Sequence, residues 1–260
     1  MELLALIGAL GILTGIFSGM LGIGGGIIMA PLLLYVPTWF GFAPLSMHVI
    51  AGLTIVQSLV ACMSGALTHK QFHYVSRQLT TWMGVTIFVT ALAGGAAAEY
   101  VANDILLAVF AFLALAAAFL IFVPTRADSE DPDIEQFSFS RPKAVTASGV
   151  VGALGGLVGQ GGSFILIPLM TSFMQVPTRI AIGSNLAIVL ISSSAAFMGK
   201  ALTGQIAWKL ALPIVLTVIP AAHLGSLLSR KVPVARLRFL LACCITLAAL
   251  RIVFTATGLY

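Results

Sequence analysis

Long apolar runs, separated by short polar stretches, follow one another along almost the whole chain. A helix needs about 20 mainly apolar residues to cross the hydrocarbon core of a bilayer. Runs of this kind, two of them overlong, predict an all-α, polytopic membrane protein. Its eight apolar helical segments are expected at residues 3–36, 44–68, 78–98, 103–123, 143–175, 180–203, 207–229 and 235–257.

The first and fifth segments are overlong and contain glycine clusters that disfavour a continuous helix. These clusters read LGIGGGIIMAP at residues 21–31 and VGQGGSFILIP at residues 158–168. The limbs on either side of the second cluster would each be about 20–23 Å long, which is shorter than the ~30 Å hydrocarbon core. Each segment is therefore either one broken crossing or a re-entrant hairpin that enters and leaves on the same side.

The two halves of the chain are related by an internal repeat. In an alignment of the two halves, LAGGAA at residues 92–97 matches HLGSLL at 223–228, and Ala66–Thr68 matches Ala201–Thr203. Repeats of this size are typical of secondary transporters. The predicted organisation is a first repeat at 1–124, a polar linker at 125–142 and a second repeat at 143–260. A constant offset of 137 residues aligns Gly15, Gly19, Gly22, Gly24, Gly25 and Pro31 with Gly152, Gly156, Gly159, Gly161, Gly162 and Pro168.

The distribution of lysine and arginine distinguishes the two arrangements of the broken segments. Eight simple crossings divide twelve of these cations seven to five between the two sides. Re-entrant hairpins divide them ten to two, with only Lys200 and Lys209 on the minority side. The positive-inside rule favours the hairpins. Three crossings then remain in each half, which makes the halves inverted repeats with a cytoplasmic linker and both termini on the opposite side.

The glycine turns are the first candidates for a binding site. Glycine allows the backbone to turn and leaves N–H groups free, and free backbone groups at membrane depth are tolerated where they line a cavity or are buried in protein. Each returning limb would present a helix N-terminus, which attracts anions. The alternative is that glycines only allow close helix packing, which is the role expected of Gly15, Gly19, Gly152 and Gly156.

Polar side chains within the apolar segments are candidates to complete this site. The sixth segment contains Ser184, Asn185 and a serine run at 192–194, and its counterpart contains Thr54, Gln57 and Ser58. Buried amides are costly unless they are paired, so the glutamine and asparagine either contact the ligand or join helices. The predicted substrate-binding residues are Gly24, Gly25, Gly26, Gln57, Gln160, Gly161, Gly162, Ser163, Ser184 and Asn185.

Composition and charge exclude several other functions. The chain is 60% hydrophobic and 8% charged, and its net charge of +5 comes from cations in short loops, so no nucleic-acid partner is expected. An H-E-x-x-H motif and a nucleophile–base pair are both absent from the sequence. His69 and His73 are four residues apart, but they lie in a basic loop. We therefore predict no catalytic residue, no metal site and no cofactor.

The two repeats also resemble a known family. GIFSGMLGIGGGIIMAPLLL and GALGGLVGQGGSFILIPLMT, followed by IGSNLAIVLISS, are similar to the paired signature of the TauE/SafE family of bacterial sulfite and organosulfonate exporters. The resemblance covers essentially the full chain. The first half departs from the pattern, with HVIAGLT at 48–54 where a Gly-Thr-Ser type of sequence is usual.

This resemblance implies a multi-pass protein of the bacterial cytoplasmic (inner) membrane. It would be a secondary transporter, and an exporter, of a small sulfur-containing anion such as sulfite or an organosulfonate, working by alternating access. Its partners would be this anion and the lipid bilayer, and a homodimer is compatible with the sequence. The alternatives are a passive small-anion channel and, more distantly, a membrane enzyme or assembly factor.

Overall fold

The computed structural model describes residues 2–21, 24–68, 75–122 and 139–229, together with Phe239 and Cys243. All regular secondary structure in these residues is helical, which confirms the all-α class. The predicted segment at 235–257 and most of the linker lie outside the described residues. The α-helices are α1 (Glu2–Leu21), α2 (Gly26–Trp39), α3 (Met47–Thr68), α4 (Arg77–Ala97), α5 (Asn103–Phe122), α6 (Arg141–Leu157), α7 (Ser163–Pro168), α8 (Thr178–Leu202) and α9 (Trp208–Ser229).

Six of the described helices are long and apolar enough to cross a membrane, namely α1, α3, α4, α5, α8 and α9. The chain is therefore a multi-pass membrane protein. The 20 residues of α1 extend over about 30 Å, the thickness of the hydrocarbon core. The first half thus contains four helices of spanning length, one more than the three crossings that the hairpin arrangement needs.

The first broken segment turns back on itself at its glycines. Thr14 Oγ1 of α1 lies 3.5 Å from Met29 Sδ of α2. In a continuous helix, 15 residues would separate these two side chains by about 22 Å along the axis. The contact therefore requires α2 to lie beside the C-terminal half of α1.

Hydrogen bonds between loops bring several helix ends together at one end of the molecule, which we call the Asn103 end. Met47 N, at the start of α3, donates to Asn103 Oδ1 at 2.5 Å, and His48 Nε2 lies 2.9 Å from Val101 O. Gln205 Nε2, between α8 and α9, donates to Gly95 O in the last turn of α4 at 3.0 Å. The start of α3, the α4–α5 connection and the α8–α9 connection therefore lie at the same end.

The other ends of these helices meet at the Ser184 end. Ser76 N, which precedes α4, donates to Ser184 Oγ near the start of α8 at 3.1 Å. Ser172 Oγ, in the π-helical segment Leu169–Phe173 that continues α7, donates to Leu120 O near the end of α5 at 2.8 Å. Helices α4 and α8 therefore run from the Ser184 end to the Asn103 end, and α5 runs the opposite way.

The closest helix packing joins helices that belong to different halves of the sequence. Helix α1 packs along α9, and α4 packs along α6. A methyl group added to Gly19 of α1 would collide with Ala222 O of α9, and one added to Gly156 of α6 would lie 2.5 Å from Ala91 O of α4. The packing role expected of these glycines is confirmed, and the two halves interleave rather than forming separate domains.

The two contacts are equivalent under the sequence repeat. Gly19 and Gly156 are related by the offset of 137 residues, and their neighbours Ala91 and Ala222 are related by the offset of 131 residues that aligns 92–97 with 223–228. The same correspondence links the contact of Gly94 with Ala153 to that of Gly225 with Ile16. Sequence repeat and three-dimensional packing therefore agree residue by residue.

Gly156→Ala should destabilise the protein by about 1–3 kcal/mol, because the new methyl group presses on the backbone of α4 rather than on a side chain that can rotate away. Gly149→Ala on the same helix is the matched control, since its methyl group meets only Thr86 Cγ2 at 3.5 Å, an ordinary contact. The control should match or exceed the wild-type stability, because alanine favours a helix. Thermal unfolding of the two purified variants in detergent measures the difference, and equal unfolding temperatures would contradict the packing described here.

Candidate functional site

The first glycine turn leaves the N-terminus of α2 without a side-chain cap. Gly24 and Gly25 both have φ of 71°, in the left-handed region that favours glycine, and Gly25 is the N-cap residue. The turn is also tightly enclosed, because a methyl group on Gly25 would lie 2.7 Å from Gln57 Nε2 and 2.8 Å from Ser18 Cβ. Glycine is therefore required here for its backbone conformation and for space.

The second glycine turn is closed by its own hydrogen bonds. Gly161 N donates to Gly155 O at 3.1 Å, and Ser163 N donates to Gln160 O at 3.2 Å. The expectation that Gly161 presents a free amide is therefore wrong. Gly161 has a positive φ of 58°, and its N–H group lies inside the turn, where Gly155 O accepts its hydrogen bond.

Side chains from the middle of α3 and α8 hold the carbonyl groups of this second turn. Thr54 Oγ1 donates to Gly159 O at 3.0 Å, and Ser192 Oγ donates to Gly161 O at 2.7 Å. The short helix α7 begins directly after the turn and passes into the π-helical segment after Pro168. The second turn is thus held from both halves of the chain.

The two turns meet in the interior of the protein. Gln160 Nε2 of the second turn donates to Gly26 O of the first at 3.1 Å. An added methyl group on Gly24 would lie 3.2 Å from Ser58 Oγ and 3.5 Å from Ser163 Oγ. Residues predicted from both sequence motifs are therefore neighbours, as the binding hypothesis requires.

Several buried polar atoms around this meeting point have no hydrogen-bond partner among the described residues. All of their side chains have zero solvent exposure. Buried polar groups in native proteins are nearly always paired, so a cluster of unpaired ones calls for an explanation. The atoms are Gln57 Oε1, Gln57 Nε2, Ser58 Oγ, Gln160 Oε1, Ser163 Oγ and Ser193 Oγ.

Ser58 and Ser193 take equivalent positions at the two turns. Ser58 Oγ lies beside Gly24, and Ser193 Oγ would lie 2.9 Å from a methyl group on Gly161. The two serines differ by 135 residues, which is the offset that aligns Ala66–Thr68 with Ala201–Thr203. Both were absent from the predicted binding residues, although extending this offset to the serine run would have paired them.

Ser184 and Asn185 are both fully buried in α8. Ser184 accepts a hydrogen bond from Ser76 N and so anchors the start of α4. Along α8, Asn185 precedes Ser193 by eight residues, or about 12 Å. A place for these two residues in the binding site stays a prediction.

Lys200 falls inside the predicted segment 180–203, and it lies in the last turn of α8 with zero exposure. Its ammonium group donates to Leu157 O, at the end of α6, and to Gln205 Oε1, each at 3.1 Å. The partners of this buried cation are carbonyl oxygens, which a charge pattern does not reveal. Lys200 thereby connects α8 to the helix end that precedes the second glycine turn.

The arrangement offers hydrogen bonds and a helix N-terminus, but no metal ligands. Among the described residues, no group of three His, Cys, Asp or Glu side chains is arranged to hold a metal ion. His69 and His73 lie outside the described residues. The chemistry that these residues support is reversible binding of a small polar solute.

The chain is similar to known proteins over most of its length. The family described as Sulfite exporter TauE/SafE matches residues 7–252. The probable membrane transporter protein YunE of Bacillus subtilis is 23% identical over 243 residues, which cover 85% of this chain and 87% of that protein. A probable membrane transporter protein of Xylella fastidiosa is 26% identical over 230 residues, covering 86% and 84% respectively. No solved structure matches the chain significantly.

Gly25→Ala should lower stability by about 1–3 kcal/mol more than Gly204→Ala does. Both glycines have φ of 71°, so both substitutions introduce backbone strain of about 1 kcal/mol. Only Gly25 is enclosed, because an added methyl group at Gly204 meets no atom within 4 Å. Thermal unfolding of the two variants separates strain from crowding, and an equal loss in both would show that the first turn is not tightly packed.

Proposed function

Because the chain belongs to the sulfite exporter TauE/SafE family, we propose that it is a secondary transporter that exports a small sulfur-containing anion, such as sulfite or an organosulfonate. The family is one of membrane transporters, not of enzymes. The cytoplasmic (inner) membrane as location and a homodimer as assembly are parts of the same proposal. The observation that carries it is the cluster of unpaired, fully buried polar atoms beside the uncapped N-terminus of α2.

An anion suits this position for electrostatic reasons. The first N–H groups of a helix have no partner within the helix, and the helix dipole makes that end positive. Helix α2 has 14 residues, and its N-cap glycine supplies no side chain that would satisfy these groups. The hydroxyl groups of Ser58 and Ser163 both lie near Gly24 and can donate to the oxygens of an anion.

We assign the predicted binding residues different roles in this site. Gly24, Gly25 and Gly26 would provide the backbone surface, and Gln57, Gln160 and Ser163 would contact the ligand. Gly161 and Gly162 would shape the second turn, which carries Gln160 and Ser163. The remaining predicted residues, Ser184 and Asn185, would support α8 rather than touch the anion.

Inverted repeats and re-entrant hairpins are also part of the proposal, and the direction of the helices supports both. Successive glycine contacts run in the same order along α1 and α9, and along α4 and α6, so the helices of each pair are parallel. Helix α4 ends, and α9 begins, at the Asn103 end, so α1 and its counterpart α6 run in opposite directions. Transporters with inverted repeats expose their site alternately to the two sides.

The interleaved packing bears on how such a transporter would move. Contacts of glycine with backbone join α1 with α9, and α4 with both α6 and α8, across the two sequence halves. A motion that kept these contacts would carry α1 with α9 as one unit and α4 with α6 and α8 as the other, each with its hairpin attached. We therefore propose alternating access by these two groups of helices, rather than by one sequence half moving against the other.

Counterflow in proteoliposomes tests the function. Vesicles loaded with unlabelled sulfite should accumulate external labelled sulfite transiently, and the initial rate should saturate with concentration. Linear flux without counterflow would indicate the alternative, a passive anion channel. Absence of any sulfite-dependent flux or binding would contradict the anion site itself.

Ser163→Asp should abolish counterflow, since a carboxylate beside the N-terminus of α2 repels the anion and occupies the free N–H groups. Ser163→Asn is the matched control, because it has nearly the same size without the charge. It should retain clearly more transport than the aspartate variant, and Ser163→Ala should be milder still, since only one hydroxyl donor is lost. Equal transport by the Asp and Asn variants would contradict an anion at this position.

Single cysteines in a cysteine-free background should place Tyr100 and Lys209 on the same side of the membrane. Both side chains are exposed, and they flank the connections that meet at the Asn103 end. Eight simple crossings would put the two positions on opposite sides, whereas re-entrant hairpins put both opposite the cytoplasmic linker. Labelling of Tyr100→Cys and Lys209→Cys in intact cells with a membrane-impermeant maleimide distinguishes the two, and labelling of only one would contradict the hairpin arrangement.

A further inference from the structure

The orientation of the Gln160 amide is determined by its hydrogen bond. Its Nε2 donates to Gly26 O at 3.1 Å, and a rotated amide would place two carbonyl oxygens against each other. Gln160 Oε1 is therefore assigned as the oxygen of the amide and can only accept hydrogen bonds. This oxygen lies against Gly26, where an added methyl group would collide with it, and it has no partner among the described residues.

A second amide oxygen is buried beside the first turn, where an added methyl group on Gly25 would lie 2.7 Å from Gln57 Nε2. Gln57 has zero exposure, and neither its oxygen nor its nitrogen is paired among the described residues. Whichever way this amide is turned, it presents one acceptor and one donor. The site therefore contains two acceptor-only oxygens in addition to serine hydroxyls that can donate or accept.

These two oxygens restrict the chemistry of the ligand. A buried acceptor that is left unpaired costs the full penalty of its removal from water, whereas a fully deprotonated oxyanion has no hydrogen to offer it. An anionic oxygen packed against Gln160 Oε1 would also be repelled. The buried cation Lys200 already donates to Leu157 O and Gln205 Oε1.

We propose that the ligand of this site is a singly charged anion that also carries an O–H or N–H donor. Examples are hydrogen sulfite and sulfonates with a hydroxyl or amino group, as opposed to dianions such as sulfate. The anionic oxygens face the N-terminus of α2 and the serine hydroxyls, and the donor faces Gln160 Oε1 or Gln57 Oε1. This inference rests on the proposed function, because it assumes that the site binds an anion.

Two sulfonates of equal charge and nearly equal size provide the test. 2-Hydroxyethanesulfonate carries a hydroxyl group where 1-propanesulfonate carries a methyl group. Each is titrated into the purified full-length protein in detergent, and the dissociation constants are measured by calorimetry, with sulfate as the dianion. The hydroxylated sulfonate should bind at least about tenfold more tightly than both of the others, because only it can pair the buried oxygen.

The variants Gln160→Met and Gln57→Met identify which of the two amide oxygens accepts the hydrogen bond from the ligand. Methionine keeps the length of the side chain but removes the acceptor, so the preference for the hydroxylated sulfonate should fall to about onefold in one of the two. Because the result is a ratio measured on one protein sample, partial loss of stability does not obscure it.

The outcomes separate this inference from the proposed function. Equal binding of the two sulfonates, or a preference that survives in both variants, would overturn the donor requirement while leaving the anion site intact. Failure of the hydroxylated sulfonate to bind would overturn the donor requirement too, since it belongs to the class named. The function itself stands or falls separately, on whether sulfite binds and is carried in counterflow.

Discussion

The other features of this protein depend on one constraint, which is that a helix broken inside a membrane exposes backbone groups that must be paired by protein or line a cavity. The chain breaks two helices and meets the constraint with side chains from elsewhere. Thr54 and Ser192 donate to the carbonyls of the second turn, and Gln160 donates to the carbonyl of Gly26 in the first. The two turns are thereby tied to α3, to α8 and to each other. Such ties require close helix packing, and the glycines that face backbone across the α1–α9 and α4–α6 contacts make it possible.

The repeat provides a nearly symmetric scaffold, but the polar groups attached to it are not symmetric. Gly24 with Ser58 corresponds to Gly161 with Ser193. Two positions further along each turn, however, the offset of 137 pairs Gly26 with Ser163. In the neighbouring helices, the offset of 135 pairs Gln57, which is unpaired, with a serine that holds the second turn. A ligand between the turns would therefore meet different partners on its two sides, which gives it a defined orientation.

Sequence patterns predicted the class of protein and the neighbours of the glycine turns, because these depend on periodicity and on repeats. They did not reveal that Ser184 accepts a hydrogen bond from Ser76 N, since polarity alone does not identify the partner of a buried side chain. They also did not reveal the partners of Lys200, which are a backbone oxygen and the side chain of Gln205. The engaged amide of Gly161 depends on the φ values of its turn, which a run of glycines leaves open.

The central claim is that a small sulfur-containing anion binds where the two glycine turns meet. Selenite has the shape and charge of sulfite, and its selenium atom can be located directly by anomalous diffraction from crystals grown with it. The account predicts one strong anomalous peak in contact with the start of α2 and with the hydroxyl groups of Ser58 and Ser163. A peak at another site inside the protein, with none between the turns, would contradict it.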